Sequence, residues 1–447
     1  MQQEQESKAP LAVVGGGFTG LAAAYELSNY HAPVIVFEAE EELGGLAGSF
    51  ELKPGVWIEK FYHHWFTSDQ AALDLISELG LKDKIKRVST NTGLYYANSC
   101  FRLSSPWDLL AFKPLPLLDR LRTGLMALRA RRITDWQALE GESAEEWMIR
   151  MGGRRAFEVI WRPLLQGKFG SEAEHISAVW FWNKLKLRGS SRSRQGGEEL
   201  IYLEDGGFRA VLEALRAVLI KRGVLIKTKC AVQEIVSQGG AVSGVKTGGE
   251  FIPLQAVLAA VPLPVFLAIT PALPREYREH YGKVRFLGNF CLVLRLRQSL
   301  SQTYWLNVAD PSFPFVGIIE HTNFDRHPAL KGEHVAYISK YLMTSDPLYG
   351  ASAEELYRYC APYIKKIFPC FSDEWVLGFK AWHAPYSQPI IFKHYSRYIP
   401  GARAPIKNLW LSTMAQIYPE DRGTNYGILH GRAAARDMAE TLGLQRL

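Results

Sequence analysis

Short, wholly apolar runs alternate along this chain with longer stretches in which apolar residues return every three or four positions. Two runs, Leu11 to Val14 and Val34 to Phe37, flank an alanine- and leucine-rich stretch from Leu21 to Leu27. That order predicts strand, helix, strand, with the strands buried on both faces as in a parallel sheet. Val56 to Phe66 reads as a strand and turn rich in aromatic residues, after which Thr67 or Ser68 can cap a helix running to about Leu79 and ended by Gly80. Helical spacing dominates from Leu94 to Lys186. It predicts helices over Pro106 to Phe112 and Leu117 to Arg132, one opened by Ser143 with Glu146, one near Arg155 to Leu165, and one opened by Ser171 with Glu174.

Past a Gly/Ser/Arg loop from Gly189 to Gly197, a helix ending at Arg222 leads into a strand from Val224 to Ile226. Three extended stretches follow, Ala231 to Ser237, Ala241 to Thr247 and Phe251 to Leu254, joined by Gly-rich turns that read as hairpins. Val284 to Pro400 alternates strands with one helix, Ala353 to Phe368. A buried strand from Asn408 to Ser412 and a helix to about Leu442 close the chain. Residues 8–93, 197–283 and 403–447 are therefore expected to form one domain around the parallel sheet. A second, substrate-facing domain takes a helical part from 94–196 and a sheet part from 284–402.

A length of 447 residues accommodates two such domains, and 47% hydrophobic with 22% charged residues is ordinary for globular proteins. Aromatic residues reach 12%, which suits either core packing or a deep pocket for a planar or lipidic substrate. The formal charge of +7 is a mild excess without zinc-finger spacing or an aromatic RNA-binding signature, so no nucleic-acid partner is expected. Five scattered cysteines with no C-x-x-C fit a reducing cytoplasm. Met1 to Lys8 is polar and carries two glutamates, unlike a secretory signal, and no run of 18 apolar residues occurs. Peripheral membrane contact stays open. Leu117, Leu118, Leu121, Leu125 and Leu128 recur at helical spacing among five arginines, a pattern that serves either a membrane surface or the protein's own core.

The chemistry begins at the first strand. Gly15, Gly17 and Gly20 give the G-x-G-x-x-G spacing at its end: Gly15 for the tight turn, Gly17 for close approach of a pyrophosphate, Gly20 for helix packing on the strand. The following helix presents its N-terminus to the phosphates. Glu38 ends the second strand about 20 residues on, placed to accept from a ribose hydroxyl. Directly after it, Glu41 to Gly48 forms a second glycine cluster. This arrangement resembles the FAD-dependent superfamily of amine oxidases, protoporphyrinogen oxidases, phytoene desaturases and UDP-galactopyranose mutases. The resemblance implies an α/β fold, with a Rossmann-type FAD-binding domain and a discontinuous α+β substrate domain. It implies FAD contacts at Gly15, Gly17, Phe18, Thr19, Gly20, Glu38, Ala39, Gly44, Gly45, Leu46 and Ala47, with the backbone of Val232 beside the adenine. The last helix is then expected to aim its N-terminus at the flavin, adding Asn425 and Tyr426 as contacts. Thr424 or Asn425 serves equally as a helix cap.

Tyr62, His63 and His64 are similar to the G-P-H-x-F-H stretch of UDP-galactopyranose mutases, where histidine lies beside the flavin ring, but the Gly-Pro is missing. His63 and His64 are the candidate catalytic residues. In an extended segment they point to opposite faces, so at most one meets the flavin and a shared metal is disfavoured. Amine oxidases of this superfamily often use a lysine near flavin N5, but no lysine stands out here. Trp161 to Lys168 and Trp180 to Lys184 read as helical core or pocket wall. Neither a G-x-S-x-G elbow nor a Walker A stretch is present. The leading expectation is hydride transfer from a C–H bond of an apolar or amine small molecule to flavin N5. The alternatives are a mutase-like flavoenzyme, with the basic loop Arg188 to Arg194 holding a nucleotide-sugar diphosphate, and a non-enzymatic isoprenoid-binding protein of the same architecture. Substrate identity, electron acceptor and oligomeric state are left open.

Overall fold

A computed structural model of the chain describes residues 9–103, 105–190, 198–310 and 312–447. Of the basic loop named above, Arg192 and Arg194 and the side chain of Arg188 lie outside the described residues. So does the polar start, Met1 to Lys8.

The apolar runs form one five-stranded parallel sheet in the order Leu225–Lys227, Val34–Phe37, Leu11–Val14, Ala256–Ala259, Leu409–Leu411. Every residue of Leu11–Val14 and Ala256–Ala259 is buried, which is why neither strand alternates with polar residues. The helices Phe18–Leu27 and Thr424–Thr441 pack on each other, although the chain between them is almost the whole protein. Their approach is very close: a Cβ at Gly431 would lie 2.2 Å from the Thr19 carbonyl oxygen. The meander Val232–Gln238, Ala241–Thr247, Glu250–Pro253 is antiparallel throughout.

A seven-stranded sheet runs in the order Val376–Pro389, Phe286–Leu296, His334–Leu342, Gly317–Glu320, Trp305–Val308, Thr92–Tyr96, Ser99–Arg102. Its long strand Phe286–Leu296 is covered on both faces. Phe290, Leu292 and Leu294 face a cluster with Leu356, Cys360 and Ile364 of the helix Ala353–Ile367, while Cys291 and Val293 join the core shared with the nucleotide sheet. The last two strands depart from the helical character expected from Leu94 onward: Thr92–Tyr96 pairs in parallel with Trp305–Val308 and draws this stretch into the sheet.

Two helix starts also differ. The helix Gln70–Glu78 begins after Asp69, not at Thr67 or Ser68, and Asp69 turns its carboxylate back to accept from Phe66 N at 2.9 Å. Residues Gly170–His175 form only a short 3-10 turn, because Ile176 bridges to Phe392 and Ser177 N donates to the Ile391 carbonyl, which holds the chain extended there. Ser177 then caps the helix Ala178–Ser190, its hydroxyl accepting from Val179 N. By contrast the Ser143–Glu146 box forms fully, with bonds of 3.1 and 2.7 Å.

Candidate functional site

The cradle at the end of Leu11–Val14 is made of backbone. Gly20 lets the helix close onto the turn, since a Cβ there would lie 1.9 Å from the Gly15 carbonyl oxygen. Gly17 is different: a Cβ there would meet nothing nearer than the Gly44 carbonyl oxygen at 3.9 Å, so its glycine leaves open space beside the helix N-terminus. Gly44 N donates to the Gly16 carbonyl at 2.9 Å and Gly17 bridges to Gly44, tying the second glycine cluster against the first. Glu38 is half-buried, accepting from Gly16 N at 2.6 Å and from Glu40 N at 2.9 Å. Cys230 N donates to the Glu38 carbonyl, which brings Val232 to the same end of the sheet as Glu38 and Ala39. Phe18 is buried edge-on against Phe208 and can meet a cofactor only through its backbone, whereas Thr19 is half-exposed. Uncrowded backbone N–H groups at a helix N-terminus, with a carboxylate at the neighbouring strand end, fit the pyrophosphate and ribose of FAD.

The second N-terminus belongs to Thr424–Thr441. Its N-cap is Gly423, and no side chain caps it. Thr424 Oγ1 accepts instead from Trp65 Nε1 at 2.9 Å, and Asn425 Oδ1 accepts from Ala72 N at 3.1 Å, in the first turn of Gln70–Glu78. The amide of Asn425 thus caps a different helix, 353 residues away in sequence. Its own helix keeps its first N–H groups for an anion or a polarised ring. Trp65 is held in turn by face-to-face stacking on Phe208, with ring centroids 3.6 Å apart. Phe208 N donates to the buried Glu59 carboxyl, which also accepts from Tyr202 OH at 2.8 Å. Burial pushes the Glu59 carboxyl up to about 7, against the lowering effect of those hydrogen bonds.

These elements surround a cavity of about 380 Å³. Leu46, His63, His64, Asn425 and Tyr426 all line it, and so do Trp161, Lys168, Trp180 and Lys184 of the two stretches read as core or pocket wall. The alternation expected for the histidines does not occur: residues 61–64 are irregular, the strand is confined to Trp65–Phe66, and both rings reach the same cavity. His63 Nδ1 donates to the Phe61 carbonyl at 2.6 Å, leaving Nε2 as acceptor on the neutral ring. Burial pushes its pKa down to about 4, more than the Phe61 carbonyl raises it, and the Arg422 charge acts in the same direction as burial. His64 Nδ1 lies 3.0 Å from Tyr304 OH, and its ring is ringed edge-on by Phe66, Trp305 and Phe324.

The cavity also holds a charge cluster that no local motif announces. Asp421 accepts from Trp180 Nε1 at 3.1 Å and pairs with Lys184, while its own N–H donates to Asn183. Burial would raise the Asp421 carboxyl, but Lys184, Lys168 and Arg422 outweigh it and hold the pKa at about 2. Arg422 donates to Tyr341 OH at 2.6 Å and to Gln388 Oε1 at 3.0 Å, and Lys168 lies over the rings of Trp180 and Tyr341. The signal that could have found Asp421 and Arg422 is their position immediately before Gly423. Nothing local marks Lys168, Lys184 or Tyr341.

The sequence model of the flavin containing amine oxidoreductase family matches residues 18–439. Over 286 residues the chain is 25% identical to the flavin-containing amine oxidase A of Sus scrofa, an alignment taking in 60% of this chain and 52% of that protein. It thus spans about half the length of that relative. Among solved structures it resembles cyclohexylamine oxidase from Brevibacterium oxydans, with a TM-score of 0.73 and 14% identity over 98% of this chain and 100% of that one. A reduced UDP-galactopyranose mutase gives a TM-score of 0.72 and 16% identity over 98% of this chain and 94% of that one. At such identities the structural likeness is one of fold.

Proposed function

The chain belongs to the flavin containing amine oxidoreductase family, whose cofactor is FAD, and we propose that it oxidises an apolar or amine small molecule at a C–H bond. When bound, FAD supplies the two-electron acceptor for the hydride. The backbone around Gly15 and Gly17 and the Glu38 carboxylate are assigned to the pyrophosphate and ribose, Gly44 to Ala47 to the phosphates nearer the ring, and Val232 to the adenine. The uncapped amides from Thr424 to Tyr426 would hold the pyrimidine end of the ring, where they would stabilise negative charge. Residues 8–93, 197–283 and 403–447 are read as the cofactor domain, with 94–196 and 284–402 as the substrate domain.

The observation that carries this reading is the aromatic cavity that opens directly onto the uncapped helix N-terminus. Trp161, Phe169, Trp180, Tyr304 and Trp305 exclude water and orient an apolar body. Neutral His63 offers an acceptor nitrogen at pH 7, suited to a proton released from a substrate N–H or O–H as the C–H bond breaks. Three cations, Lys168, Lys184 and Arg422, outnumber the two carboxylates of the wall, Asp421 and Asp69, the latter raised by burial to about 6, and disfavour a permanently cationic substrate. An amine would then react in its neutral form. The same cations favour the second reading, a mutase-like use of reduced flavin on a nucleotide sugar, whose diphosphate they would attract.

Anaerobic mixing separates the two. An apolar or neutral-amine substrate should bleach the oxidised flavin, and His63→Ala and His64→Ala should slow that step unequally. If dithionite-reduced enzyme interconverts nucleotide-sugar ring forms while no substrate bleaches the oxidised form, the oxidoreductase reading fails.

A further inference from the structure

The helix Leu117–Ala130 is turned the wrong way for a globular protein. At 3.6 residues per turn, Leu117, Leu118, Leu121, Leu125 and Leu128 fall within about 100° of arc. All five are exposed, Leu118 at 79% and Leu117 at 58%. The buried residues of the same helix, Thr123, Met126 and Ala130, lie on the opposite side. An amphipathic helix ordinarily buries its leucines and exposes small and polar residues; this one does the reverse. On the adjacent helix Pro106–Ala111, Trp107 is 77% exposed as well.

The charge around this face is predominantly positive. Arg129, Arg131 and Arg132 are exposed, as is Lys113, and Asp119 is the only acid within the helix. Arg120 and Arg122 donate to the backbone carbonyls of Leu110, Leu115, Arg150 and Met151, and among the described residues neither is paired with a carboxylate. Phe112 and Leu115 anchor the two helices in a small core that also contains Trp161 and Leu164 of the cavity wall. Among the described residues no helix is long and apolar enough to cross a bilayer.

We propose that this leucine face, with Trp107 and its arginine border, docks the enzyme on an anionic lipid surface, the leucines entering the acyl boundary and the arginines meeting headgroup phosphates. Exposed leucines alone would suit a second copy of the chain equally well, but a copy would bring a like-charged border against this one. An anionic bilayer complements both the apolar and the basic parts.

Vesicle flotation of the full-length, FAD-loaded protein tests this. The expected result is recovery with vesicles containing phosphatidylglycerol, little with phosphatidylcholine alone, and loss of recovery as salt rises. Leu118→Glu/Leu121→Glu and, separately, Arg129→Gln/Arg131→Gln/Arg132→Gln should each lower recovery by about tenfold or more. Both sets alter exposed side chains, so flavin content and thermal melting should match wild type. No flotation with either vesicle, or equal recovery with both, overturns the proposal. So does a dimer in solution that Leu118→Glu/Leu121→Glu dissociates while vesicle recovery is unchanged.

Discussion

At the end proposed for the cofactor the chain presents backbone, and at the end proposed for the substrate it presents side chains. Gly15, Gly17, Gly20, Gly44 and Gly45 lie within 31 residues of one another, and the space they leave is shaped by the absence of Cβ atoms. The cavity is assembled from the Phe61–Phe66 segment, two helices between Arg162 and Ser190, the seven-stranded sheet, and residues 421–426. A phosphate needs only N–H groups in a fixed curve, which a local turn can supply. A substrate needs walls on several sides, which only elements distant in sequence can provide. Glu59 and Asn425 link the two ends: each is buried and each holds the aromatic and helical pieces between them in register.

The contrast can be broken most severely at Gly20. With backbone oxygen 1.9 Å from any added Cβ, Gly20→Val should cost more than about 4 kcal/mol and give no folded protein, as soluble yield and circular dichroism would show. Next in size is Glu59→Gln, through pH. The Glu59 carboxyl is raised from 4.5 to about 7 on folding, so the folded state binds more protons. Its stabilising contribution is therefore complete below about 4.5 and is lost as pH rises to 7, a change of about 3 kcal/mol. His63 acts oppositely: with its pKa lowered to about 4, it costs stability as pH falls below 6.5. Urea unfolding of wild type and Glu59→Gln across pH 4.5 to 8 isolates the first effect, and the variant should gain on wild type as pH rises. A smaller loss, about 1–2 kcal/mol, is expected for Asn425→Ala, which removes the cap on Ala72 N from across the fold. Thermal melting should fall while the helix Thr424–Thr441 persists.

Legibility followed the same division. The parallel strands, the glycine turn, the Glu38 position and the Ser143–Glu146 box all depend on residues close in sequence, and their patterns were readable. The spacing predicts the Gln70–Glu78 helix but offers Thr67 or Ser68 as its cap, where the structure has Asp69. The group that satisfies Ala72 N comes from Asn425. The alternation assumed for His63 and His64 failed because Trp65 is pulled into a two-residue strand against Ile201, leaving the preceding residues irregular. Asp421, Lys168 and Lys184 became a cluster only when two helices and the end of the chain converged on one cavity. The leucines of 117–130 were visible as an amphipathic stripe, but which way the stripe faces is decided by packing.

The measurement closest to the central assignment is flavin content of purified wild type and Gly17→Val. Gly17 has open space and an extended backbone, φ −76° and ψ 176°, so valine fits the fold and occupies only the volume assigned to the pyrophosphate. The account predicts about one FAD per wild-type chain, and a Gly17→Val protein with unchanged circular dichroism that is colourless and stays so after incubation with excess FAD. A folded Gly17→Val variant that retains a full complement of flavin, or wild type that takes up none on refolding with FAD, would contradict it.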